Sequence, residues 1–237
     1  MQNPGAASPL LLVGDHAGRE IPVALQHLGL PAAALQTHIA LDIGVAGLGA
    51  VLSEKLDATF VSQRFSRLVI DCNRDPERAD SIVELSDGVA IPGNADLSRD
   101  ARDARVRRVF HPYHDRIASE IEARVGRQTL LVALHSFTPA LVGGAPRPWH
   151  VGVLHLGGSP ACEVMLQGLR ATLGPDMVGD NQPYEMDGTD YTVPRHAIAV
   201  GLDYLELEVR QDLIATLSGQ AAMADLLAPL LRRAAGA

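Results

Sequence analysis

Two histidines stand where apolar runs of this chain give way to polar residues. His16 follows LLLVG (10–14) in the stretch GDHAGREIP, and His135 closes LLVAL (130–134). Neutral imidazoles delivered from separate strand ends can converge on one metal ion, and zinc suits such donors. A third protein ligand is normally a carboxylate, which leaves one position open for a water molecule made acidic near neutral pH. Two acids compete for that place. Glu20 lies four residues past His16, but Pro22 pushes Ile21 into an extended conformation, which disfavours a helical face carrying positions 16 and 20. Asp42, in HIALDIG, precedes a helical pattern at 45–56 and could bind the metal or cap the helix. The residue pattern favours Asp42 and leaves Glu20 open.

Other polar groups collect in the same way. RLVI (67–70) runs into Asp71-Cys72-Asn73-Arg74, and LELEV (205–209) runs into Arg210. Glu206 and Glu208 alternate with Leu205, Leu207 and Val209, so both carboxylates share one strand face. Either could act beside a metal as general base and then general acid. Arg210 is a candidate partner for Glu208 or a clamp for a substrate carboxylate. In HPYH (111–114), His114 borders the apolar face formed by Val106, Val109, Phe110, Tyr113, Ile117 and Ile121 at about 100° per residue. A single His114 reaching the site from the edge of the core is preferred to an HxxH metal pair. Any one of these groups could be an ordinary turn or surface residue. Together on one rim they form an active-site pattern.

Elements that could position them follow from periodicity. Apolar runs bounded by turn residues predict strands at 10–14, 58–62, 67–71, 129–134, 150–156 and 204–209. Helical patterns lie at 45–56, about 96–125, 161–173 and 212–234. Strands alternating with helices imply an α/β sheet covered on both faces, with functional groups beyond the strand C-termini. No linker, repeat or low-complexity tract divides the 237 residues, so 1–237 is expected to be one domain. Aromatic residues are only 4% of the chain, so the core must be mostly Leu, Val, Ile and Ala.

Composition also excludes some functions. A formal charge of −8 argues against a nucleic-acid surface. The densest basic run, RDARDARVRR (99–108), is interleaved with acids and is expected to be a solvated helix face. Cys72 and Cys162 are far apart, consistent with a reducing compartment. No basic n-region and no membrane-length apolar run is present, so a cytoplasmic protein without membrane partners is expected. There is no GxSxG or Walker A sequence, and GVAGLG (44–49) has the wrong glycine order for a dinucleotide fingerprint.

The order of motifs resembles the N-formylglutamate amidohydrolase family. The matching stretches are DHAGREIP, HIALDIG, RFSRLVIDCNRDP, IPGNADLS, HPYH, LVALHSFTP, PRPWHVGVLH, GDNQPY and LEVRQDLI, spanning 10–214 in one order. The resemblance implies a single three-layer α/β/α domain with a mixed, mostly parallel sheet, similar to the zinc carboxypeptidases (phosphorylase/hydrolase-like). It implies that one Zn2+ is held by His16, Asp42 and His135, with Glu208 catalytic. The place of Glu20 is variable in the family, although carboxypeptidases take their acid from shortly after the first His. Asn73 and Arg74 match a pair that holds a substrate carboxylate; Arg67 and His114 match recurrent positions expected to contact substrate. The implied activity is hydrolysis of a small N-acyl amino acid, first of all N-formyl-L-glutamate to formate and L-glutamate. A carboxypeptidase-like peptidase or deacylase, or a non-catalytic carboxylate-binding protein of the same fold, are the alternatives.

Overall fold

A computed structural model of the chain describes residues 1–157 and 159–236. Its centre is a six-stranded sheet. β1 (Leu10–Gly14) pairs in parallel with β2 (Thr59–Ser62) on one side and β5 (Leu130–Phe137) on the other. β5 runs parallel to β8 (Asp203–Arg210) along its full length, and β8 meets β6 (Val151–Leu154) in antiparallel register. β7 (Val178–Asp180) closes the edge, parallel to β6, giving the order β2-β1-β5-β8-β6-β7. A small antiparallel hairpin, β3 (Leu85–Ser86) with β4 (Val89–Ala90), stands apart. Every residue of β1 and β5 is buried, as expected for central parallel strands covered on both faces.

Two helical layers supply that cover. α1 (Val45–Leu56) and α4 (Pro160–Leu173) pack against the sheet, and α6 (Leu217–Ala234) packs against both of them. α3 (His111–Glu122) and the short α5 (Thr192–His196) form a second packed group that touches β2 and β5. Gly49 of α1 is required by packing, because a Cβ there would lie 2.3 Å from the Phe60 ring of β2. Gly44, at φ +88°, starts α1 where a Cβ would meet the Ile214 carbonyl oxygen at 2.2 Å. The architecture is the three-layer α/β/α sandwich with a mixed, mostly parallel sheet that the sequence predicts.

Four expectations need correction. RLVID (67–71) is no strand: residues 67–69 form a turn and 70–71 are irregular. Ser66 drives this, since its Oγ donates to the Ala40 carbonyl and accepts from Leu68 N, while Val69 N donates to the Ser66 carbonyl. The strand at 178–180 was not foreseen, because three residues carry no readable alternation. The long helical pattern is α2 (Arg99–Arg105), a π-helical turn (Val106–Phe110) and then α3, with Pro112 in the first turn of α3. Arg105 in the basic run is buried, donating to Val69 O, Asn94 Oδ1 and Gly93 O, rather than solvated.

Candidate metal centre and cleft

The C-terminal ends of β1, β5 and β8 meet at one rim. Immediately past β1, Asp15 and His16 are both buried; β5 carries His135 near its end, opposite Glu208 of β8 in register. Asp42 arrives from the turn before α1, docked by its own backbone N–H on the His16 carbonyl at 2.9 Å. Its side chain does not cap α1, whose N-cap is Gly44. Instead Asp42 Oδ2 lies 3.4 Å from His16 Nδ1 and 3.0 Å from His135 Nδ1, and it accepts from Ser136 N at 3.2 Å. The candidate ligand atoms of His16, Asp42 and His135 all fall within 4.8 Å of one another in a fully buried group.

Each imidazole presents its other nitrogen to a carboxylate. His16 Nε2–H donates to Asp71 Oδ1 at 2.7 Å, and His135 Nε2 faces Asp15 Oδ2 at 3.3 Å. Asp71 is fixed by Arg67 Nη2 (2.7 Å) and Asn73 N (2.8 Å); Asp15 is fixed by Tyr113 Oη (2.7 Å) and Thr192 Oγ1 (2.8 Å). Outer carboxylates of this kind set the tautomer and orientation of metal-binding histidines. His16 Nδ1, the nitrogen that Asp71 leaves over, is buried and makes no hydrogen bond. Burial works against protonation of both histidines, and Arg67 adds to this at His16. The carboxylates nevertheless hold both above the usual imidazole range. A cavity that attracts positive charge this way, with two nitrogens and a carboxylate oxygen converging, fits a divalent metal such as zinc.

In front of this group lies a cleft of about 530 Å³. Glu206 and Glu208 line it from β8, both buried, each with one carboxylate oxygen unpartnered. Burial pushes Glu208 up to about 7 and Glu206 up to about 8, against the pull of His135 on each. Arg67 and Arg74 line the cleft too; Arg67 pairs with Asp71 and Asp42, while Arg74 Nη1 donates to Thr189 Oγ1 and lies 3.3 Å from Asp190 Oδ1. Tyr184 also lines the cleft; Arg147 lies over its ring at 4.9 Å and donates to its hydroxyl.

The structure thus brings His16, Asp42, His135, Glu208, Arg67, Asn73 and Arg74 to one cleft. Asn73, expected as a substrate contact, spends its side chain internally: Oδ1 accepts from Tyr191 N and Thr192 N, and Nδ2 donates to Asp190. His114 is outside the cleft, stacked on His196 with Nδ1 and Nε2 at 2.9 Å and its own Nε2 donating to Cys72 O. Arg210 is also outside, turned onto Asp212 and the carbonyls of Arg147 and Pro148. Glu20 makes an exposed ion pair with Arg64 and takes no part. The roles of Asp15 and Asp71 were missed. Asp15 adjoins His16 in the chain, and Asp71 sits in a run already marked as polar, but carboxylates behind a ligand leave no spacing to read.

Comparison with known proteins gives an independent line. The sequence profile of the N-formylglutamate amidohydrolase family matches residues 8–215. Among solved structures, a gene product of Agrobacterium tumefaciens superposes with a TM-score of 0.94 at 40% identity, covering 99% of this chain and 93% of that one. N-formylglutamate amidohydrolase from Ralstonia eutropha superposes with a TM-score of 0.71 at 22% identity, covering 98% and 94%, and shares the fold. No curated protein matches the chain.

Proposed function

Since this chain belongs to the N-formylglutamate amidohydrolase family, we propose that it hydrolyses the amide bond of a small N-acyl amino acid in a zinc-dependent reaction. The observation that carries this reading is the pairing, in β-sheet register, of His135 with Glu208: a buried unpartnered carboxyl beside a buried His-Asp-His group, both facing one cleft. His16, Asp42 and His135 would hold the ion. When bound, zinc supplies Lewis acidity that polarises the scissile carbonyl and makes water a usable nucleophile near neutral pH. Glu208 takes the proton of the attacking water. It then delivers that proton to the amine nitrogen as the C–N bond breaks, so one carboxyl serves both steps. Its raised pKa, near 7, suits the exchange. Arg74 offers the guanidinium edge not used by Thr189 and Asp190 to the substrate's α-carboxylate, a geometry suited to two parallel hydrogen bonds. Arg67, 30% exposed and paired with Asp42 and Asp71, lines the same cleft and would contact the acyl end.

The compound to test first is N-formyl-L-glutamate, which gives formate and L-glutamate. Formate release should be abolished by a chelator and restored by zinc. A panel of N-formyl, N-acetyl and dipeptide substrates separates a deformylase from a broader deacylase or peptidase. Zinc-loaded protein that turns over no member of the panel would refute the proposal.

A further inference from the structure

Asn73 stands where three parts of the site meet. Its backbone N–H donates to Asp71 Oδ1 at 2.8 Å, the same oxygen that takes the His16 Nε2 proton at 2.7 Å. Its side chain is buried and reaches in two further directions. Oδ1 accepts from Tyr191 N at 3.0 Å and from Thr192 N at 2.9 Å. Nδ2 donates to Asp190 Oδ1 at 3.2 Å, and that oxygen also lies 3.3 Å from Arg74 Nη1.

The two directions lead to different chemistry. Thr192, the first residue of α5, donates its hydroxyl to Asp15 Oδ1 at 2.8 Å, and Asp15 Oδ2 faces His135 Nε2 at 3.3 Å. The first N–H groups of a helix have no partner within it, and α5 has no side-chain cap from its own N-cap residue, Tyr191. Asn73 supplies an acceptor from 118 positions away and so sets where the Thr192 hydroxyl stands. Asp190, in turn, is one of two groups that orient the Arg74 guanidinium, the other being Thr189. The carboxylates behind both histidines and the carboxylate that steadies Arg74 therefore all rest on one residue. An amide suits the place, because it offers two lone pairs to N–H groups and an N–H to an acid at once. Aspartate has the acceptors without the donor, and alanine has neither. Given the reading of the cleft as an N-acyl amino acid hydrolase, we propose that Asn73 is a positioning residue that ties the metal group to the carboxylate clamp. One side chain then sets both the affinity for zinc and the affinity for the substrate's α-carboxylate.

The test measures the zinc Kd by chelator competition and the affinity of the zinc-loaded protein for L-glutamate by calorimetry, neither of which needs turnover. Asn73→Ala should weaken zinc about tenfold, the low end for loss of an outer partner, and L-glutamate about five- to tenfold. Asn73→Asp keeps the acceptor and loses the donor. It should hold zinc within about threefold of wild type and lose L-glutamate as N73A does, a split that general loosening of the fold would not produce. Thr192→Val removes only the hydroxyl that meets Asp15; it should weaken zinc about tenfold and leave L-glutamate within about twofold, and it decides the metal arm even if N73A fails to fold. A zinc Kd within twofold of wild type in N73A or T192V overturns the proposal. So does an unchanged L-glutamate affinity in N73A, or an N73D protein that loses zinc as N73A does. Zinc-loaded wild type that neither releases formate nor binds L-glutamate would sink the hydrolase reading instead, and the zinc Kd values of N73A and T192V would still decide whether Asn73 positions the metal group.

Discussion

Replacing Asp15 by Asn probes how the metal group is held without touching any of its three members. Asp15 Oδ1 accepts from Tyr113 Oη and Thr192 Oγ1, while Oδ2 faces His135 Nε2 at 3.3 Å. An Asn of the same shape keeps its carbonyl oxygen on Tyr113 and Thr192 and so turns its NH2 towards His135. Donor then faces donor, and the imidazole must rotate or change tautomer. Loss of such an outer partner weakens metal binding about 10- to 100-fold, or about 1.4–2.7 kcal/mol. At a zinc concentration 100 times the wild-type Kd, the metal stabilises the fold by about 2.7 kcal/mol; after a hundredfold weakening it gives about 0.4. The missing 2.3 kcal/mol or so should lower the zinc-loaded Tm of D15N by roughly 5–9 °C, at about 2–4 °C per kcal/mol for a chain of this size. Competition against a chelator of known affinity measures the Kd, and thermal unfolding with and without zinc measures the linkage. A Kd within twofold of wild type would refute the reasoning.

Further outcomes are expected. Glu208→Gln should retain zinc, measured by atomic emission, yet lose at least about 100-fold in kcat; near-normal turnover would remove Glu208 from the mechanism. Gly152→Ala should destabilise by about 1–3 kcal/mol in urea unfolding, because the new Cβ would lie 2.0 Å from the Gln182 carbonyl oxygen. An unchanged midpoint would mean that segment 181–184 yields freely. Burial pulls His114 and His196 down to about 4. The unfolded chain takes up these protons from about pH 6.5 downwards, so their contribution is complete above that pH and is lost as pH falls towards 4. His196→Gln should therefore flatten the stability profile between these limits by up to about 1.4 kcal/mol per pH unit; an identical slope in the variant would contradict this.

Much of the fold was legible because its strands are long or wholly buried. β1, β5 and β8 read directly from apolar runs, and α1 from its spacing. His16 and His135 stood out because a polar residue at the end of such a run is conspicuous. RLVID misled because it is equally apolar and equally buried, but its backbone bonds go to the Ser66 hydroxyl and the Ser81 carbonyl rather than to a neighbouring strand. Burial alone does not distinguish the two. The role of Asn73 came from the resemblance and that of Arg210 from its chain neighbour Glu208, whereas their side chains are claimed by other partners: Asn73 by Asp190 and the backbone of residues 191–192, Arg210 by Asp212 and the carbonyls of Arg147 and Pro148. His114 sits on the edge of the core as expected, but its partner is His196, 82 positions away. No local pattern carries such pairings.

The reversed direction of β6 has a consequence for how this scaffold can change. β5 ends at the rim with Phe137, and β6 begins beside Val209 at that same rim. The chain between them, residues 138–150, never has to cross the molecule. It leaves and re-enters the sheet on the cleft side, contributing Thr138 and Leu141 to the lining on the way. Lengthening or shortening that stretch would reshape the mouth while leaving strand register and metal group where they are. Among the connections of the sheet it is the natural place for directed evolution of substrate range, and a library confined to it would separate recognition from catalysis.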